Sequence, residues 1–255
     1  MRDDIFSKPS GMLVDFVFDE QVANVFPDMI RRSVPGYDTI IPMLGVFAEK
    51  YVQTNTNIYD LGCSLGAATL SIRRRLTKPG CNIIAVDNAD AMTKQCKQNI
   101  LNDSSPTPVD VLCDDILNIN IENASLVVIN FTLQFLAPET RDTLLENIYQ
   151  GLNHGGALLI AEKVISEDQK QQLFYDNLHT EFKRTNGYSE LEISQKRTAL
   201  ENVLIPETNE YHLQRLRNTG FEFASSWFQC FNFTAFCGVK SISKSIEKPT
   251  AKSPV

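Results

Sequence analysis

The 255-residue chain carries three histidines and one tryptophan, and its six cysteines (Cys63, Cys81, Cys96, Cys113, Cys230 and Cys237) form no Cys-x-x-Cys pair. That spacing excludes the common secreted disulfide frameworks and zinc sites, so reduced, buried thiols and no metal are expected. Positive charge is also in deficit, with 24 Lys and Arg against 31 Asp and Glu and a net charge of −7. A nucleic-acid surface needs the opposite balance, so direct binding of RNA or DNA is not expected. No apolar run approaches the roughly 18 residues of a membrane span, and the opening MRDDIFSKPSG lacks the apolar core of a signal peptide. A cytoplasmic protein without a membrane segment is expected. No Gly-Lys-Ser/Thr run is present to cradle phosphates, and no cysteine follows a proline.

What is present is alternation. Helical spacing of apolar residues covers 19–32 and 37–52, with Pro35-Gly36 as the break between them. Short apolar strands at 57–62, 82–87, 109–114, 124–131 and 156–163 then alternate with helices at 67–76, 89–101 and 139–152, and a further helix starts near Glu167. This alternation predicts a doubly wound, mostly parallel α/β sheet. The last two strands, 221–228 and 231–239, are so close in sequence that they predict an antiparallel hairpin at the sheet edge. Residues 1–240 are expected to form a single domain, with added helices at 19–52 and an inserted helical segment at 167–204. The Ser-, Lys- and Pro-rich tail 241–255 is expected to be disordered.

In such a sheet, ligands bind beyond the carboxyl ends of the strands. The first strand runs into YDLGCSLGAATLS, residues 59–71, where Gly62, Ser64 and Gly66 alternate. Gly62-Cys63-Ser64-Leu65-Gly66-Ala67 fits the dinucleotide pattern Gly-x-Gly-x-x-Gly poorly, which argues against a pyrophosphate ligand. Two readings of the loop remain: a nucleoside site, or small residues that simply let helix 67–76 pack close to its strand. Asp60-x-Gly62-x-Ser64-x-Gly66 resembles the first motif of the S-adenosylmethionine-dependent methyltransferase fold, a Rossmann-like sheet of seven strands.

The later strand ends favour a nucleoside. Asp87 closes the second strand, where a carboxylate can accept both ribose hydroxyls, with Asn88 beside it; the alternative for both is a helix cap. Asp114-Asp115-Ile116 follows the third strand, where Asp115 and a backbone N–H can read an adenine edge with Ile116 against its face. Asn130 ends the fourth strand. His154, His179 and His212 are scattered and read as structural or solvated, so no base dyad emerges.

Four blocks, VFPDMIRRSVPGY, YDLGCSLGAATLS, NFTLQFL and NGYSELEISQKR with its following LENV, are similar to the carboxy-S-adenosyl-methionine synthases over residues 15–240. The resemblance implies conversion of S-adenosyl-L-methionine and prephenate into carboxy-S-adenosyl-L-methionine and phenylpyruvate, in a homodimer. It implies that a separate enzyme uses the product on the wobble uridine of tRNA. It also implies that hydroxide leaving prephenate takes the sulfonium methyl proton, so that the protein supplies no base. Tyr37 matches a family position that contacts the cofactor. A small-molecule methyltransferase and a silent S-adenosylmethionine-binding protein are the alternative readings on the same scaffold.

An anionic substrate in an acidic protein calls for a placed cation. Ser189 and Glu192 form a capping box, and Ile193, Arg197, Leu200 and Leu204 then fall on one helical face. Lys196 falls off that face and reads as solvated beside Glu192. Arg197 on an apolar stripe is either a structural ion pair or a ligand contact, and the resemblance assigns it to the transferred carboxylate. Arg31, Arg32 and Arg73 to Arg75 read as solvated faces, with one of them free to line the prephenate pocket.

Overall fold

The computed structural model describes residues 1–7, 16–201 and 203–242. Parallel strands β1 (Asn57–Leu61), β2 (Asn82–Asp87), β3 (Val109–Cys113), β4 (Ala124–Asn130) and β5 (Leu152–Ile165) form most of one sheet. A two-residue β6 (Glu207–Thr208) pairs with β5, and the hairpin β7 (Phe223–Cys230) and β8 (Phe233–Val239) completes the sheet in the order β3-β2-β1-β4-β5-β8-β7. The seven expected strands are therefore present, with β6 as an eighth. Strand β8 inserts antiparallel between β5 and β7, leaving β7 as the edge.

Strand periodicity divides the core. Ile58, Leu126 and Val128 face one side, against Ile40 and Leu44 of α2 (Tyr37–Tyr51) and Ile72 of α3 (Ala67–Arg75). Tyr59, Leu61, Val127 and Ile129 face the other, against Leu145 and Ile148 of α5 (Pro138–Gly151) and Leu216 of α8 (Asn209–Thr219). The added helices are α1 (Glu20–Ser33), α6 (Gln169–Thr185) and α7 (Glu190–Glu201), while α4 (Asp90–Leu101) follows β2. Asp19 caps α1 by accepting from the Val22 N–H at 2.9 Å.

Several side chains sit differently from expectation. Arg73 is not solvated; it donates to the carbonyls of Thr107, Ile100 and Asp103. Arg32 is largely buried between Asp28 and the Tyr188 ring. Cys113 is exposed and Cys230 half-buried, while the other four thiols are buried. No described helix is long and apolar enough to cross a membrane. Of the tail, only Ser241 and Ile242 are described, and residues 243–255 lie outside.

Candidate active site

The sheet order reverses between β1 and β4, and a cavity of about 740 Å³ opens beyond the carboxyl ends of these strands. All ten residues selected from the sequence line it: Tyr37, Gly62, Cys63, Ser64, Asp87, Asn88, Asp115, Ile116, Asn130 and Arg197. Gly62 has φ +86°, and a Cβ there would come within 2.0 Å of the Thr132 hydroxyl oxygen, so the turn accepts only glycine. The N–H groups of Gly62 and Cys63 both donate to the Val86 carbonyl at 2.8 Å. Ser64, at φ +50°, donates its N–H to Asp87 Oδ2 at 2.9 Å. The other Asp87 oxygen accepts from Ala89 N–H at 3.0 Å. Asp87 thus ties the glycine loop to the start of α4 while facing the cavity, but it is not the helix cap: Ala89 holds that position, with no side-chain cap hydrogen bond. Burial raises its pKa against the pull of these two N–H groups.

Two buried acceptors in this wall have no protein partner. Asp60 Oδ2 accepts from Thr69 N–H at 3.0 Å and from the Thr69 hydroxyl at 2.5 Å, but its Oδ1 is unpaired. Asn130 Oδ1 is unpaired as well. Buried polar atoms are normally satisfied, so orphans lining one cavity indicate a ligand that donates hydrogen bonds. Burial pushes Asp60 up to about 6, with the Thr69 bonds opposing and the nearby Asp87 reinforcing. Tyr37 is buried at the start of α2, 6.4 Å from the Phe131 ring, and burial together with Asp60 raises its hydroxyl pKa. Asp115 caps a short turn by accepting from Leu117 N–H at 2.9 Å, Ile116 is buried behind it, and Asn88 is exposed at the rim.

The opposite end of the cavity is basic: Lys163 from β5, Lys183 from α6, and Lys196 and Arg197 from α7. The capping box at Ser189 and Glu192 forms as expected, with Ser189 N–H donating to Glu192 Oε2 at 2.7 Å. The buried face of α7 is nevertheless turned by one residue. It carries Glu192, Ile193, Gln195, Lys196 and Ala199, while Arg197 is exposed and α7 ends before Leu204. The cause is Asp3, which brings a buried carboxylate to Lys196 Nζ at 2.5 Å, where the Tyr188 hydroxyl also accepts at 2.6 Å. Arg197 is therefore a rim residue and not a buried charge.

Two further groups shape the wall. The Glu162 oxygens accept the N–H groups of Leu133 (3.0 Å) and Gln134 (3.1 Å), fixing the loop after β4, and burial pushes this carboxyl up to about 8. His179 Nε2 lies 2.8 Å from the Ser33 carbonyl, and its ring meets Phe233 edge-on. Burial, reinforced by Lys183, holds His179 down at about 3. His212, also buried, is held at about 4. Both remain neutral when folded and titrate normally when unfolded, so the unfolded state binds more protons below about pH 6.5. The contribution of each imidazole to stability is expected to fall on acidification from pH 6.5, by up to about 1.4 kcal/mol per pH unit, while the raised carboxyls of Glu162 and Asp60 act in the opposite direction. Urea unfolding of the parent and a His179→Gln variant at pH 7 and pH 5 isolates the imidazole: between the two pH values the variant should lose less stability, or gain more, than the parent.

Residues 58–156 match the family model described as a methyltransferase domain. A solved putative S-adenosyl-L-methionine-dependent methyltransferase from Methanococcus maripaludis superposes with a TM-score of 0.58 at 20% identity, over 94% of this chain and all of the other. Human N-acetylserotonin methyltransferase, solved in complex with SAM, gives 0.60 at 18% identity over 87% of this chain and 55% of its own. The sheet order and the cavity beyond its strand ends place the protein in this methyltransferase-fold class. Carboxy-S-adenosyl-L-methionine synthases of Klebsiella pneumoniae and Escherichia coli are each 57% identical to the chain, covering 94% of it and 97% of their own lengths. That of Salmonella paratyphi C is 58% identical over the same shares. The chain belongs to the carboxy-S-adenosyl-L-methionine synthase family and is an enzyme of the transferase class.

Proposed function

We propose that the protein converts S-adenosyl-L-methionine and prephenate into carboxy-S-adenosyl-L-methionine and phenylpyruvate, within one catalytic domain spanning residues 1–240. The observation that carries this reading is the polarity of the cavity, with Asp60 and Asp87 at the strand ends and Lys163, Lys183 and Arg197 opposite. A sulfonium carrying an ammonium suits the first end, and a dianion suits the second. The backbone of Gly62, Cys63 and Ser64 lies against the amino-acid moiety, whose ammonium meets the open oxygen of Asp60. Asn130 and Tyr37 close this side. Asp87 and Asn88 take the ribose, and Asp115 and Ile116 take the adenine. Arg197 faces the carboxylate carried by the product.

As its ring aromatises, prephenate releases carbon dioxide and hydroxide. The hydroxide accepts a proton from the sulfonium methyl and leaves as water, and the freed carbon electron pair bonds to carbon dioxide. The protein must enclose both fragments and orient them. His179 is already committed to the Ser33 carbonyl, consistent with a reaction that takes its base from the substrate. The product then serves a separate tRNA-modifying enzyme, in keeping with the net charge of −7. Exposed Leu173 and Phe174 on α6 support a homodimer.

Native mass spectrometry of the purified protein tests the reading. A retained ligand heavier than S-adenosyl-L-methionine by one carbon dioxide is expected, together with phenylpyruvate formation on adding prephenate. Bare S-adenosyl-L-methionine with no turnover of prephenate would instead favour an ordinary methyltransferase. Asp87→Asn, which loses the charge but keeps one acceptor, is expected to weaken S-adenosyl-L-methionine by about 1 kcal/mol, roughly fivefold, by calorimetry. An unchanged affinity would leave Asp87 with only its loop-bracing role.

A further inference from the structure

The basic end of the cavity holds more positive charge than its own carboxylates answer. Lys196 has Asp3. Among the described residues, no side chain lies in hydrogen-bond or ion-pair contact with the ammonium groups of Lys163 and Lys183, whose side chains line the cavity from β5 and α6. Asp176 is the carboxylate whose field reaches Lys163, and Arg197 opposes it. The charged groups acting on Lys183 are all cationic: Lys163, Lys196 and Arg197. Burial and these neighbours bring Lys183 down to about 7. Two half-buried lysines whose ammonium groups face one cavity and repel each other are costly to the fold, and an entering anion relieves that cost. Around them stand neutral groups: Gln172 and Thr180 of α6, and the rings of Phe131 and Phe233, 6.1 Å apart.

Prephenate carries two carboxylates with different fates. One departs as carbon dioxide, and the other, at the 2-oxo-acid end, remains in phenylpyruvate. A single exposed guanidinium cannot hold both. We propose that Lys163 and Lys183 form a second carboxylate subsite that binds the retained 2-oxo-acid end, leaving Arg197 to the carboxyl group being transferred. This rests on the reaction proposed above. It makes the lysine pair the determinant of substrate choice, since an acid with only the transferable carboxylate would leave both ammonium groups unanswered. It also makes phenylpyruvate a product inhibitor that competes with prephenate and not with S-adenosyl-L-methionine.

Lys163→Gln and Lys183→Gln, assayed for phenylpyruvate formation, test the subsite. The KM for prephenate is expected to rise tenfold or more in each, and phenylpyruvate inhibition to weaken in parallel. The dissociation constant of S-adenosyl-L-methionine should stay within twofold. An unchanged KM for prephenate, or an equal loss of S-adenosyl-L-methionine affinity, would overturn the proposal. If the unmodified protein turns over no prephenate, the reaction itself is wrong, and the subsite falls with it. A measurement on the unmodified protein stands independently of how the variants fold. With S-adenosyl-L-methionine present, phenylpyruvate should raise the melting temperature and phenylacetone, which lacks the carboxylate, should not. Equal shifts from the two would overturn the subsite.

Discussion

Replacing Arg197 by alanine is expected to leave S-adenosyl-L-methionine binding nearly unchanged while weakening carboxy-S-adenosyl-L-methionine about 10- to 150-fold, the equivalent of about 1.5–3 kcal/mol for a charge-assisted contact. The methyl group of the substrate presents no negative charge to a guanidinium, whereas the carboxylate of the product presents two oxygens in the geometry a guanidinium fork matches. Conversion of prephenate should fall with product affinity, because the same contact steadies the carboxyl group as it is transferred. Arg197→Lys should recover part of the loss, since a point charge cannot form the fork. The position of Arg197 sharpens the test. It is exposed at the rim of the cavity, and its guanidinium makes no hydrogen bond or ion pair with any described residue. Its removal should therefore cost under about 0.5 kcal/mol in stability, so lost activity cannot be blamed on unfolding. Titration of both cofactors against the variant decides the matter: equal losses for the two would strip Arg197 of its carboxylate role.

The acidic half of the cavity was legible in the sequence because each of its parts is local. Gly62, Asp87, Asp115 and Asn130 each end or follow a strand whose apolar run marks it, and parallel strands deliver their carboxyl ends to one side of a sheet. The basic half was legible only at Arg197, because its other determinants are long-range. Lys196 read as solvated beside Glu192, and only the fold brings Asp3 across 193 positions of sequence to neutralise it. That one contact turned the buried face of α7 and moved Arg197 from a buried stripe to the rim. Lys183 carries no local signal. Lys163 carries a weak one, following Glu162 at the end of a buried strand where two adjacent charges are out of place. Asp60 stands in the glycine motif, but its unpaired oxygen is a property of three dimensions.

That oxygen gives the second large effect. Asp60→Asn is expected to weaken S-adenosyl-L-methionine and carboxy-S-adenosyl-L-methionine by the same factor, about 10- to 150-fold, because both carry the ammonium that we propose meets this carboxylate. The amide oxygen can keep the two Thr69 bonds, which directs the amide nitrogen, a donor, to the position where Oδ1 now stands open. A donor facing an ammonium in a sheltered pocket is worse than an empty site. Acidity should mimic the substitution. The carboxyl of Asp60 is raised to about 6, so it is ionised at pH 7 and takes up a proton as the pH falls through 6. Affinity for S-adenosyl-L-methionine should therefore be near its full value at pH 7, roughly halved at pH 6 and lower still below it, and the Asn variant should show no such decline. Stability moves in the opposite direction. A folded pKa above the unfolded value of about 3.9 means that the folded state holds more protons between these limits, so the wild-type fold loses stability as the pH rises through that window. The ligand-free Asn variant escapes that loss and should be at least as stable as the parent at pH 7. Weak binding of both cofactors in a variant that melts no lower than the parent would show that the buried carboxylate is retained for the ligand and not for the fold. Unchanged affinities would place the ammonium elsewhere.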